Sequence, residues 1–351
     1  MTKRHSAIRL AAALTVTLAG LAPLAVAPGA AQAAVPAVAA SYSSLMYRSL
    51  TADETMAKLR GTLAAQQKAL QTRSAETTAA VQADAAAQKS LTGVAAAHAA
   101  VRERLTKAER TLAAAKTTLS AAQKKRPRDT AAVIRSAKAV EAATKVRDAR
   151  RKKLAQTAGT LRTAQAGART TAARVKKALA VQQWTSTTIG QTHKQIAAAG
   201  TAAGYAAEAG KLSVGVVAEV RPAFTTKDTT TVYGVTVHRS VAFAFKRMVD
   251  DARADGVELS GGGFRTKERQ IELRKINGCP DVWKAPSSSC RVPTAIPGRS
   301  LHEIGLAVDI SSGGRTISRQ TKAFTWLQAH ARAYGYVNLP SEAWHWSITG
   351  G

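Results

Sequence analysis

Between Tyr47 and Trp184 the chain contains no aromatic residue. A segment of that length without aromatics cannot assemble an ordinary globular core, because these side chains supply the largest buried areas. From Tyr42 to about Gln191 it is rich in Ala, Lys, Arg, Gln and Thr, with very few Gly or Pro, a composition that favours long helices. Two seams run through it. Leu91, Val94, His98, Val101, Leu105, Ala108, Leu112, Ala115, Leu119 and Ala122 follow alternating steps of three and four, and so do Leu154, Ala158, Leu161, Gln165, Ala168, Ala172, Val175 and Leu179. Between the seams, Pro127 cannot continue the first helix, and Asp129 or Thr130 can cap the second. Residues 34–196 therefore predict an all-α antiparallel coiled-coil hairpin, in which His98 is a tolerated polar seam residue and not a ligand.

Thirteen of the sixteen aromatics lie from Tyr205 onward, which marks a second and conventional domain. Gly200, Gly204, Gly210 and Gly215 loosen the helical pattern, so 197–221 reads as a linker and 222–351 as the folded domain. Thr230 to Tyr233 and Val235 to Val237 read as β segments around Gly234. Val241, Phe243, Phe245, Met248 and Val249 suggest a buried helix.

The formal net charge is +29, unevenly shared. Residues 34–234 hold 32 Lys+Arg against 12 Asp+Glu, whereas 235–351 hold 16 against 10. A rod so basic attracts polyanions, and anionic wall polymers or lipid headgroups are the expected partners, with a merely solvated face as the alternative. Nucleic acid is not expected, since aromatics that would stack bases are nearly absent. A seam exposed on the hairpin also allows self-association.

Lys3, Arg4 and Arg9 precede the apolar run Leu10 to Val26, and Ala31-Gln32-Ala33 supplies small residues for cleavage. Residues 1–33 thus read as a signal peptide, with a secreted, cell-wall-associated product. No later uncharged apolar run is long enough to span a bilayer. Export favours a disulfide between the two cysteines, Cys279 and Cys290; a metal-binding pair is the rival reading, but it lacks short ligand spacing and a neighbouring His.

The segment richest in chemistry is Ser300-Leu301-His302-Glu303-Ile304-Gly305-Leu306-Ala307-Val308-Asp309, followed by Glu342-Ala343-Trp344-His345-Trp346. Two histidines and an aspartate can bind one zinc and leave a fourth position for water, while a nearby carboxylate takes a proton. The pattern Ser-x-His-x-x-Gly-x-Ala-x-Asp resembles the VanY-type zinc D-alanyl-D-alanine carboxypeptidases and related LAS-group cell-wall endopeptidases, over roughly the last 120 residues. The resemblance implies an α+β catalytic domain, a small antiparallel sheet with helices, that acts on peptidoglycan stem peptides. It implies His302, Asp309 and His345 as ligands of one Zn²⁺ and Glu342 as general base, with Glu303 a possible competitor.

Leu259 to Thr266 resembles the family's Ser-Gly-Tyr/Phe-Arg-Ser element, which makes Arg265 the residue for substrate and oxyanion, although the extra glycine and Thr266 depart from that pattern. Ser300 matches the family serine as a substrate or supporting contact, or is a turn residue. Trp344 and Trp346 either wall the site or pack the core, and Gln270 could support the Arg265 loop. Carboxypeptidase action and internal cleavage such as L-Ala-D-Glu both remain open, as does a non-catalytic wall-binding scaffold on the same fold.

Overall fold

The computed structural model describes residues 35–351; the export signal expected over 1–33 lies outside them. Two compact units are formed, one from 51–202 and the other from 203–351 together with the segment ending at Leu50.

The first unit is built by two long helices, α1 (Ala37–Lys124) and α2 (Thr130–Ala198). Asp129 caps α2 by accepting from the Ala132 amide at 2.9 Å, which turns the chain sharply after Pro127. The helices run antiparallel, because Asp84 meets Thr171, His98 meets Thr157 and Glu109 meets Arg151. His98 Nδ1 lies 3.0 Å from the Thr157 hydroxyl and so finds a partner inside the pair.

Every expected seam position of α1 is at least partly buried. On α2 two are not: Gln165 and Leu179 face solvent, and Ala164 and Ala178 turn inward in their place. The interface takes the smaller residue of each neighbouring couple, which lets the helices approach closely. It continues through buried Thr185, Thr188 and Thr192, whose hydroxyls bond back to carbonyls of their own helix or to Gln66. Threonine can thus occupy an apolar seam at little polar cost.

In the second unit, the linker expected over 197–221 is mostly helix. After a break at 199–201 the chain forms α3 (Ala202–Ala223). One of its glycines serves packing: a Cβ on Gly215 would stand 3.3 Å from Val38 Cγ1, so its absence lets α3 lie against the start of α1. The folded unit correspondingly begins far upstream of residue 222. Tyr42 and Met46 are each 1% exposed in the same core as Val216, Phe245, Met248 and Leu306, and the Tyr42 hydroxyl donates to the Gly335 carbonyl.

β1 (Thr229–Val232) and β2 (Val235–His238) form a hairpin whose two turn residues, Tyr233 and Gly234, both have positive φ, as a type I′ turn requires. α4 (Arg239–Ala254) follows at once and buries Val241, Ala244, Phe245, Met248, Val249 and Ala252 along one stripe. Next come β3 (Ser260–Gly262), α5 (Lys267–Ile276), β4 (Ala307–Ser312), β5 (Arg315–Thr316), α6 (Lys322–His330), β6 (Val337–Asn338) and β7 (His345–Ser347). The sheet order is β3-β4-β7-β6, antiparallel throughout, with β5 paired to β4. This is the α+β arrangement anticipated from sequence. No helix among the described residues is long and apolar enough to cross a membrane.

Because Tyr42 belongs to this core, Tyr42→Ala is expected to destabilise the C-terminal unit by about 3 kcal/mol. Urea unfolding followed by tryptophan fluorescence would read this, since four of the five tryptophans lie in that unit. A fragment confined to 235–351 should unfold at lower urea than the full chain.

Candidate metal centre and active site

Strand register brings the chemistry together. Asp309 in the central strand β4 pairs with Gly262 of β3 on one side and with His345 of β7 on the other. Val308 pairs with Trp346 on the opposite face, because side chains alternate along a strand. Trp346 is therefore a core residue, 2% exposed, with its indole N–H donating to the Ala343 carbonyl. Trp344, which precedes the strand, borders the cleft.

His302 lies in a short 3₁₀ turn, His302–Ile304, and reaches the same place. Its Nδ1 is 2.7 Å from the Gly263 carbonyl, which can only accept, so Nδ1 carries the proton. Burial lowers the His302 pKa and keeps the ring neutral, leaving Nε2 with a lone pair. That lone pair faces Asp309 Oδ1 and His345 Nδ1, each at 3.1 Å, and those two atoms are also 3.1 Å apart. Three ligand atoms at equal separations match one face of a tetrahedron around zinc, whose edge is about 3.3 Å for bonds of ~2.0–2.1 Å. The donor set, two imidazoles and a carboxylate, fits such an ion, and the Gly263 carbonyl orients the first imidazole as supporting groups in metal sites do.

Asp309 presents Oδ1 to the two imidazole nitrogens as a ligand atom. Its other oxygen, Oδ2, accepts from Arg265 at 3.1 Å. Arg265 is anchored at its backbone, where its N–H donates to the His302 carbonyl, and its guanidinium both borders the cleft and fixes Asp309.

The glycines before Arg265 have separate tasks. Gly261 adopts φ 146°, and a Cβ there would come within 2.0 Å of the Asp309 carbonyl oxygen; a Cβ on Gly263 would come within 2.1 Å of that of Thr236. Both positions need glycine so that the loop can lie flat between β4 and β2.

Glu342 follows the turn Leu339–Glu342, closed by its own amide on the Leu339 carbonyl, and lines the cleft that holds the His-Asp-His cluster. Burial raises its pKa, with Asp309 adding to the rise and Arg265 opposing it, the direction that suits a proton acceptor. Glu303 is not a competitor. Its two oxygens accept from the amides of Gly298 and Ser300, so it is committed to shaping the turn ahead of His302. The Ser300 hydroxyl accepts from the His302 amide and so supports that ligand while also lining the cleft.

The cleft, about 390 Å³, has its outer wall in the loop 277–299. That loop is closed by the Cys279–Cys290 disulfide, as expected. It is also held by Arg274 of α5, a residue with no exposed surface whose guanidinium donates to the carbonyls of Asp281, Ala285 and Thr294. Gln270, one turn earlier, donates to the Ala295 carbonyl and supports the same wall. Neither role could be read from spacing, since main-chain acceptors leave no side-chain signature.

His238 has a structural role: its ring accepts from the Ser240 amide to cap α4, and its own amide donates to the Gly305 carbonyl. His330 is exposed and stacks on Trp326. A larger, shallow space of about 820 Å³ in the helical unit is lined by residues such as Gln71, Ser74 and Gln182, none titratable, and so offers no comparable chemistry.

Chelator competition is expected to show zinc affinity falling about 100-fold or more for His302→Ala or His345→Ala, with little change for Glu342→Ala. Glu303→Gln should lower thermal stability, because its carboxylate holds two amides.

Part of the chain is similar to known proteins. Residues 234–350 match the VanY family, described as D-alanyl-D-alanine carboxypeptidase. A D-alanyl-D-alanine carboxypeptidase of Enterococcus faecalis is 30% identical over 122 residues, covering 29% of this chain and 44% of its own length. YodJ of Bacillus subtilis, a carboxypeptidase by name, is 31% identical over 107 residues, covering 29% of this chain and 38% of its own. The chain thus spans less than half the length of either relative. A solved structure of a mutant vancomycin resistance D,D-pentapeptidase VanY in complex with Zn(II) is 24% identical, covering 35% of this chain and 78% of that one, with a TM-score of 0.28. Residues 234–350, which hold every site residue described above, are thus the part of the chain that matches the VanY family model.

Proposed function

We propose that this protein is a secreted zinc peptidase that removes the terminal D-alanine from peptidoglycan stem peptides. The observation that carries the reading is the convergence of His302, Asp309 and His345 on one point, in the same cleft as Glu342 and Arg265. Substrate class comes from the family match and the two carboxypeptidase relatives.

His302, Asp309 and His345 would hold the ion, which supplies a Lewis acid and lowers the pKa of its water towards about 7. Glu342 accepts the proton of the attacking water and returns it to the departing amine nitrogen. Arg265 stays charged at working pH and can donate to the carbonyl oxygen as negative charge develops on it, while its bond to Asp309 keeps it in place. The wall at 277–299 confines the peptide, and Trp344 offers an apolar surface at the cleft edge.

Incubating the zinc-loaded protein with a pentapeptide muropeptide and reading products by mass spectrometry tests this. Loss of one alanine, reduced about 1,000-fold or more in Glu342→Ala, is the expected result. Cleavage within the stem would instead establish the endopeptidase reading, and no product from zinc-loaded protein would favour a non-catalytic scaffold. Intact mass of the protein recovered outside the cell should begin at Ala34 if the export reading holds.

A further inference from the structure

The helical unit does not carry its charge evenly. Of its 28 Lys+Arg, 17 fall within 102–153, the end of the hairpin that includes the turn, against 5 Asp+Glu there. Four of those five acids already have basic partners: Glu109 with Arg151, Asp129 with Arg135, Glu141 with Lys145 and Asp148 with Arg147. All but Arg147 of the seventeen cations are exposed. We propose that this turn end of the hairpin is a docking surface for a linear phosphodiester polymer of the cell wall, of the poly(glycerol phosphate) kind.

Shape and composition favour a flexible chain over a bilayer. At about 100° per residue, Arg102, Arg104, Lys107, Arg110, Lys116 and Lys124 of α1 point to nearly every sector outside the seam. Such a rod has no single basic face to lay on a flat membrane, but a flexible polyanion can wind around it. The exposed large apolar side chains here are Ile134 and Val146, with no aromatic to enter a headgroup layer or to stack on a nucleobase. The span from Arg102 to Lys124 alone is about 33 Å long, room for several phosphates in register with the cations.

The test uses fluorescein-labelled poly(glycerol phosphate) and the full-length protein, read by anisotropy across a salt series. Binding should weaken steeply as salt rises, because each neutralised phosphate releases a counterion. Replacing Lys124, Lys125, Arg126, Arg128, Arg150, Lys152 and Lys153 by Gln should weaken binding about tenfold or more. The matched replacement of Lys58, Arg60, Lys68, Lys89, Arg162, Lys176 and Lys177 should cost less than about threefold. Circular dichroism should be unchanged in both, since Gln is a good helix former. Equal losses in the two variants, salt-insensitive binding, or tighter binding to phosphatidylglycerol vesicles or polycytidylate than to the polymer would overturn the proposal. Turnover of a soluble muropeptide should be the same in both variants and in the parent, so a failed peptidase reading and a failed docking reading give different results.

Discussion

The hydrogen bond from His302 Nδ1 to the Gly263 carbonyl governs the rest of the site. It spends the only proton of a buried neutral imidazole on the backbone, and so leaves a lone pair aimed at Asp309 and His345. The carbonyl can be there only because Gly263 lies flat against β2, where the Phe264 amide donates to Thr236 and any Cβ would collide with the Thr236 oxygen. β2 is held in turn by the bond from the His238 amide to Gly305, the residue that ends the turn bearing His302. The ligand is thus located by a closed circuit of main-chain contacts through β2, the glycine loop and the 3₁₀ turn. Asp309 and His345 enter from strands whose register places them side by side.

Much of this was legible in the chain. The resemblance of the Ser-x-His-x-x-Gly-x-Ala-x-Asp and Glu-Ala-Trp-His stretches to the VanY type implies His302, Asp309, Glu342 and His345, the residues that the fold brings together, and ligand chemistry restricts residue type severely at such positions. The long helices were legible from composition, and the turn from Pro127 and Asp129. The α3 helix was not, since glycines that permit close packing and glycines that break a helix look alike until the partner, here Val38, is known. For the same reason the start of the folded unit is not legible: Tyr42 and Met46 are distant in sequence from the core they complete. On α2 the heptad spacing points to Leu179, the larger neighbour, whereas the packing selects Ala178. Glu303 beside a ligand looked like a rival base until its two amide partners were visible.

The two units illustrate different ways of meeting the entropy cost of order. The C-terminal unit buries aromatic and branched side chains in one continuous cluster. The hairpin buries little beyond Ala, Leu and Thr, and its interhelical contacts are in part polar, such as Asp84 to Thr171 and Gln66 to Thr192. Helix propensity therefore carries more of its stability, and a surface dense in Lys and Arg costs it little, since both are good helix formers.

Arg274 holds the outer wall of the cleft by three carbonyls and no side chain of the loop it grips. Recognition of that kind is indifferent to residue identity at Asp281, Ala285 and Thr294. With the ends of the loop joined at Cys279 and Cys290, the wall can keep its outline while the residues it displays drift. Selection could then alter which peptides the cleft admits by changing loop side chains alone, leaving the ligand set and its supporting backbone untouched.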